Sequence, residues 1–208
     1  MKKIMFNDKY GLTQAVLEGR KTQTRRIITY PKTFKGKDVR GLYVYRWEVD
    51  GAIADMCMYD EDALPIEGGQ ILPKYKVGEI VAVAQSYRDC GGVNEEGVPM
   101  WEIISSKVGG TNAGWSNKMF VRAELMPHRV RITAVRVERL RDISDVDCMA
   151  EGINYYEQEG FSWCSTGKLF DTPREAYAAL IDKVSGKGTC ERNPYVFVYD
   201  FELVKKWK

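Results

Sequence analysis

The strongest structural signal in the chain is the segment HRVRITAVRVERL, residues 128–140. Val130 and Ile132 alternate with polar residues, but from Val135 onward the apolar residues take the opposite phase. Successive side chains of a strand point to opposite faces, so an alternation that slips by one residue predicts a β-bulge, here near Ala134 or Val135. Bulged, strongly coiled strands are common where a sheet closes into a barrel. The chain is therefore expected to fold around one long, curved strand.

Other strands are predicted from short apolar and β-branched runs. They are residues 3–6, 24–28, 76–87 and 194–204. The run 76–87 begins with a turn and then carries apolar residues at successive positions, so it is expected to be buried on both faces. The run 194–204 places its aromatic residues on one face.

Three helices are predicted from apolar spacing and terminal signals. Residues 8–19 form the first, with Asn7 or Asp8 as its N-cap and Gly19 as its stop. Residues 144–152 form the second, and Ser144 with Asp147 resembles a capping box. The third begins at the T-P-x-E sequence of residues 172–175, ends at Gly186 and is expected to bury Ala176, Tyr177, Leu180, Ile181 and Val184.

Two long segments interrupt these elements. Residues 31–75 hold short apolar pieces between Gly, Pro and Asp, which predicts an insertion of one or two hairpins. Residues 89–118 hold six glycines and little periodicity, which predicts a long functional or mobile loop. No repeat separates the chain into units, so residues 1–208 are interpreted as one α+β domain with a mixed, curved sheet and a few short helices.

The charge balance limits the partners. The chain has 31 Lys and Arg residues against 29 Asp and Glu residues, so a nucleic acid would have to bind through a local basic patch. No apolar run approaches the roughly 18 residues of a membrane span, and the N-terminus lacks the apolar stretch of a signal peptide. A cytoplasmic protein without membrane contact is therefore expected.

The cysteines predict no metal centre and no cofactor. Five cysteines are spread along the chain without a C-x-x-C pair, and a single histidine accompanies them. A structural zinc site needs four closely spaced ligands. Free, buried thiols are the expected state.

The most unusual local sequence is GRKTQTRR, residues 19–26. Gly19 permits a sharp turn with positive φ, and the cations Arg20, Lys21, Arg25 and Arg26 repel one another unless an anion joins them. Arginine binds phosphate and carboxylate groups in a bidentate manner. The segment therefore predicts an anion-binding loop, although a solvated loop after a helix has the same composition.

The same segment carries a candidate catalytic pair. A threonine hydroxyl is a poor nucleophile until a base takes its proton, and a lysine becomes that base if burial and nearby cations lower its pKa. Lys21 and Thr24 are three residues apart, so their side chains meet if the loop turns tightly.

The spacing G-x-K-x-x-x-x-R, here Gly19, Lys21 and Arg26, resembles the signature of the ASCH domain, a branch of the PUA-like superfamily. Three more blocks resemble, in order, those of the larger ASCH proteins of bacteria and their phages: KVGEIVAVAQSY, NKMFVRAELMPHRVRITAVRVERLRDISDVDCMAEGI and NPYVFVYDFELV. The resemblance implies a PUA-like mixed β-barrel with two insertions, at about 31–75 and 89–118. It also implies a cleft for RNA or a modified nucleoside.

The short ASCH enzymes hydrolyse the acetyl amide of N4-acetylcytidine with a lysine, a threonine and a glutamate. The resemblance assigns these roles to Lys21, Thr24 and Glu151, with Asp147 and Glu138 as rival acids. It further implies that Gly19, Arg20, Arg25 and Arg26 bind the nucleic acid or substrate, and that Arg26 orients substrate or holds Glu151.

The chain departs from the family pattern in two places. Ala84 and Gln85 stand where larger members often carry Arg-Glu, which weighs against turnover. Cys190 stands where relatives usually have tryptophan, which predicts the loss of an aromatic surface there. The competing hypotheses are a non-catalytic RNA-binding module and a phage-encoded protein that binds a host protein through its insertions. The sequence predicts no oligomeric state.

Overall fold

The computed structural model of the protein describes residues 1–46, 55–91, 93–94, 96–109, 113–157, 159–164 and 168–204. Within these ranges the strands are β1 (Lys3–Ile4), β2 (Gln23–Ile27), β3 (Thr33–Phe34), β4 (Lys37–Asp38), β5 (Gly41–Arg46), β6 (Asp55–Tyr59), β7 (Pro65–Ile71), β8 (Ile80–Val83), β9 (Arg129–Arg139), β10 (Asn154–Tyr156), β11 (Gly160–Ser162) and β12 (Tyr195–Val204). The α-helices are α1 (Leu12–Leu17), α2 (Met100–Val108), α3 (Asp145–Ala150), α4 (Pro173–Ser185) and α5 (Thr189–Arg192). The fold is mixed α+β, as the sequence predicted.

The long strand β9 lies at the centre of a five-stranded sheet of order β1-β8-β9-β12-β2. β1 pairs with β8 in parallel, and the remaining neighbours are antiparallel. Asp200 of β12 pairs with Ala134, whereas Phe201 pairs with Ile132, so Thr133 is the extra residue of a bulge. The bulge confirms the slip in the apolar alternation and returns Val135 to the core face, where it is fully buried.

The sheet is open rather than closed. β1 and β2 are its two edges, and no pairing between them occurs among the described residues. β1 has only two residues in the sheet, so it ends before it can close a ladder with β2. The barrel expected from the resemblance is therefore not formed by strand pairing. Instead, a guanidinium nitrogen of Arg26 on β2 donates to the main-chain oxygen of Met5, just after β1, at 2.6 Å.

The first insertion folds as predicted, and the second does not. Residues 31–75 contain the β3–β4 hairpin and the β5–β6–β7 sheet, with a small core of Val39, Met58 and Ile66. Residues 89–118 were expected to form a loop, but they include helix α2. Ile104 of α2 is buried against residues that include Tyr87 and Met126. The helix could not be predicted from apolar periodicity, because Ile104 is its only buried residue and the flanking segments are rich in glycine.

The helices flanking the sheet follow their terminal signals, with two differences. α1 begins later than expected because Gly11 adopts a left-handed conformation, so neither Asn7 nor Asp8 is the N-cap. Ser144 caps α3, and α4 begins with Pro173 and a complete capping box between Thr172 and Glu175. α4 buries the expected face except Val184, which is 39% exposed.

Replacing Thr172 with Ala should lower the free energy of unfolding by about 1 kcal/mol, because the first turn of α4 loses its capping hydroxyl. Urea denaturation measures the change. Lys187→Ala, on an exposed residue beyond the end of α4, is the matched control and should leave stability unchanged. Equal stability of the two variants would contradict the role of the capping box.

Candidate functional site

Residues 19–24, which we call the 19–24 loop, comprise a tight turn after α1 and the first two residues of β2. Gly19 has a φ of +75°, and the main-chain N–H groups of Arg20 and Lys21 both donate to the oxygen of Ala15. The N–H of Thr22 then donates to the oxygen of Ala150, in the last turn of α3, at 2.9 Å. These bonds place the loop against the C-terminal end of α3, where Glu151 follows.

Lys21 and Glu151 form a buried ion pair. Lys21 is 2% exposed and Glu151 is 5% exposed. The Lys21 ammonium donates to the Oε2 atom of Glu151, and also to its main-chain oxygen at 2.7 Å. The sequence placed these residues together only through the resemblance, since 130 positions separate them.

The net effect of the environment on Lys21 is a lowered pKa. Burial lowers the pKa of Lys21 from its usual value, and the Glu151 carboxylate opposes that effect. The cations Arg26 and Arg25 lower the pKa further. The direction agrees with the sequence prediction, but desolvation rather than the neighbouring arginines is the main cause.

Thr24 lies on β2 and is also buried, at 5% exposure. Its main chain belongs to the ladder with β12, opposite Tyr199. Within the described part of the chain, its hydroxyl has no hydrogen-bond partner. The hydroxyl is therefore uncommitted, in contrast to the Lys21 ammonium.

Lys21, Thr24 and Glu151 line one cavity of about 400 Å³. The cavity lies between the two sheet edges, because Met5 after β1 and Arg26 on β2 also line it. Apolar residues line the cavity as well, and three of them come from α4: Leu180, Ile181 and Val184. The site thus combines charged and hydrophobic side chains, as small-molecule pockets commonly do.

Arg25 lies inside the protein rather than at its surface. Its side chain is 0% exposed, and its guanidinium contacts the carboxylates of Glu138 at 2.6 Å, Asp147 at 3.2 Å and Glu151 at 3.3 Å. Arg136 bridges Glu138, Asp147 and Asp200 on the same side. We call Arg25, Arg136 and these four carboxylates the Arg25 network.

The contacts of the Arg25 network distinguish Glu151 from the two other candidate acids. Glu138 and Asp147, the rivals of Glu151, bind Arg25 and Arg136, and neither contacts Lys21 among the described residues. Partial burial raises the pKa of Asp147, but hydrogen bonds and the arginine charges outweigh it and lower the pKa overall. Asp147 is therefore held ionised, and Glu151 alone pairs with Lys21.

The other predicted binding residues take different positions. Arg26 lines the cavity, with its guanidinium 5.6 Å from the Phe6 ring centre, but it does not hold Glu151. Arg25 holds Glu151 instead, so the expectation that Arg26 holds it was wrong. Arg20 is exposed, pairs with Glu18 at 2.6 Å and does not line the cavity.

Sequence reasoning missed the contribution of α4. Tyr177, Leu180 and Ile181 were expected to be core residues, and all three line the cavity as well. Their helical spacing is the signal of a buried face, and it cannot show whether that face meets packed side chains or a cavity. Gln85 lines a separate cavity of about 210 Å³ beside the other face of α1.

Comparisons with known protein families, curated sequences and solved structures find no match to this chain. In the described ranges no helix is long and apolar enough to cross a membrane. No group of three or more His, Cys, Asp or Glu residues is arranged to hold a metal ion in that part of the chain. The cytoplasmic location expected from the sequence stays a prediction.

Replacing Arg25 with Met should lower the free energy of unfolding by about 3–5 kcal/mol, because three carboxylates would lose their buried cation. Arg26→Ala is the matched control. It removes one main-chain hydrogen bond from a half-buried side chain and should cost about 1 kcal/mol or less. Urea denaturation of both variants measures the difference, and similar losses would contradict the distinct placement of the two arginines.

Proposed function

We propose that the cavity is an ASCH-type site that binds an acylated nucleoside of the N4-acetylcytidine kind and hydrolyses its amide. One observation carries this proposal. Lys21, Thr24 and Glu151, the three residues that the resemblance assigns to catalysis, line a single cavity, and Lys21 contacts Glu151. Their positions in the sequence did not require this convergence, since 130 positions separate Lys21 from Glu151.

The Lys21–Glu151 pair can supply both the base and the acid of the proposed reaction. Its shared proton can reside on the amine, which gives an ion pair, or on the carboxylate, which gives a neutral pair. Burial lowers the pKa of Lys21, and in the proposed reaction its proton passes to Glu151 to give the neutral pair. In that state Lys21 is a base and Glu151 is an acid, as amide hydrolysis requires.

The reaction then follows from these protonation states. Lys21 takes the proton of the Thr24 hydroxyl, and the oxygen attacks the acyl carbon. Glu151 gives its proton to the leaving amine as the carbon–nitrogen bond breaks, which leaves an acyl ester on Thr24. Water hydrolyses the ester to release the carboxylic acid, and Lys21 and Glu151 return to their shared-proton state.

The cavity supports a small ligand more strongly than a long RNA. Its volume of about 400 Å³ lies within the usual range of roughly 300–1,000 Å³ for small-molecule pockets. The buried guanidinium of Arg25 cannot contact phosphates at the surface. Only Arg20 and Arg26 of the basic loop remain available to an anion. A modified nucleoside, free or at an accessible position of RNA, therefore fits best.

A non-catalytic binding module is the second candidate. The Lys21 ammonium donates to two oxygens of Glu151, which is also the arrangement of a structural ion pair. In this alternative the pair fixes the 19–24 loop to α3, and the cavity binds the nucleoside without turnover.

The purified protein should deacetylate N4-acetylcytidine, measured by absorbance or chromatography. Lys21→Ala and Thr24→Ala should abolish turnover, because they remove the base and the nucleophile. Glu151→Gln should retain binding and slow the reaction, since an amide cannot deliver the proton. Thr22→Ala is the matched control, because Thr22 is an exposed threonine of the same loop and does not line the cavity.

Binding of the nucleoside without turnover would decide for the non-catalytic module. Turnover that survives Thr24→Ala would contradict the role of Thr24 as nucleophile.

The value of kcat/KM should fall as pH rises through the pKa of Lys21, because the pair then loses its shared proton and Glu151 has none to give to the leaving amine. Burial, followed by the charges of Arg26 and Arg25, places that pKa below its usual value of 10.5. Arg26→Ala removes one cation and should move the midpoint of the fall to higher pH. A rate that rises with pH through this range would contradict the shared-proton mechanism.

A further inference from the structure

In the proposed reaction, no residue has yet been assigned to stabilise the oxyanion. Attack on the acyl carbon places negative charge on the carbonyl oxygen, and a preorganised hydrogen-bond donor usually stabilises that charge. Lys21 acts as base, Thr24 as nucleophile and Glu151 as acid. The Arg25 guanidinium is already occupied by three carboxylates. A further donor is needed on the same cavity wall.

Tyr177 of α4 has the properties of such a donor. It lines the cavity with Lys21, Thr24 and Glu151, and it is 97% buried, being 3% exposed. Its hydroxyl has no hydrogen-bond partner among the described residues, and its oxygen is shielded from water, so the side chain must shift slightly to meet a ligand in the cavity. An unpaired buried hydroxyl destabilises the fold, and a hydrogen bond to a ligand would offset that cost.

The electrostatic surroundings keep this hydroxyl protonated. Burial raises the pKa of Tyr177 well above its usual value, and the Glu151 carboxylate adds to the effect. Arg25 acts in the opposite direction, with its guanidinium carbon 6.0 Å from the Tyr177 ring centre. The phenol is therefore a donor at neutral pH, and its ring lies beside the Arg25 guanidinium that contacts Glu151.

Other unpaired buried side-chain atoms in the described ranges are Gln85 Oε1 and Ser162 Oγ. Gln85 lines the smaller cavity, and Ser162 lines neither of the two cavities described above. Tyr177 is thus the unpaired buried group that shares the cavity with the proposed catalytic residues.

We propose that Tyr177 donates its hydroxyl hydrogen to the acyl carbonyl oxygen of the substrate and stabilises the oxyanion that forms when Thr24 attacks. This inference rests on the proposed amide hydrolysis. It adds a fourth catalytic residue and makes an accepting carbonyl a requirement of the ligand, so an acylated cytidine should bind in preference to cytidine itself.

Tyr177→Phe tests the proposal, with N4-acetylcytidine as the substrate. We expect kcat to fall by about 10²–10³-fold, the usual loss for one oxyanion donor, with a much smaller change in KM. The melting temperature should stay equal or rise, because the variant removes an unpaired buried hydroxyl. A residue with a merely structural role would not combine lost activity with retained stability.

Tyr87→Phe is the matched control. Tyr87 is equally buried, but its hydroxyl accepts the main-chain N–H of Arg122 at 2.9 Å, outside the cavity. We expect the opposite pattern, with a lower melting temperature and an unchanged kcat.

Each outcome decides the proposal. Unchanged kcat in Tyr177→Phe, or a melting temperature lowered as in Tyr87→Phe, would overturn the inference and leave the proposed hydrolysis in place. Absence of turnover by the wild-type protein would overturn the proposed hydrolysis and the oxyanion role together. Loss of kcat at retained stability would support both.

Discussion

The site depends on the ion pairs that the buried Arg25 guanidinium forms with three carboxylates. The guanidinium joins Glu138 of β9 to Asp147 and Glu151 around α3, while its own strand β2 is a sheet edge. A charge without water is costly unless carboxylates surround it, so these elements can pack only in a relative position that preserves the contacts. The same contacts hold the Glu151 carboxylate where the Lys21 ammonium meets it.

The open sheet explains why a cavity exists at this place. A closed barrel would satisfy the edge of β2 with another strand, whereas here β1 stops after Ile4 and the chain continues into α1. Charged side chains and apolar residues, including those of α4, line the space between the edges instead. Such a pocket suits a ligand that has both apolar and polar groups.

Stability and reactivity impose opposite demands on this pocket. Lys21 and the Tyr177 hydroxyl are buried in settings that do not fully satisfy them, since desolvation disfavours the ammonium and the hydroxyl lacks a partner. Structural cores avoid such groups, but catalytic sites require them because an unsatisfied group is free to act on substrate. The salt bridges of Arg25 and the capping box of α4 are stabilising interactions close to these groups.

The sequence by itself determined features that depend on neighbouring residues. It predicted the bulge of β9, the turn at Gly19 and the capping box of α4, because alternation, positive φ and capping are local. Only the tertiary structure distinguished Arg25 from Arg26, since Arg25 contacts carboxylates 113 to 126 positions away. It also revealed that the buried face of α4 borders a cavity. Local patterns cannot specify such contacts, because burial and pairing depend on which distant segments the folded chain brings together.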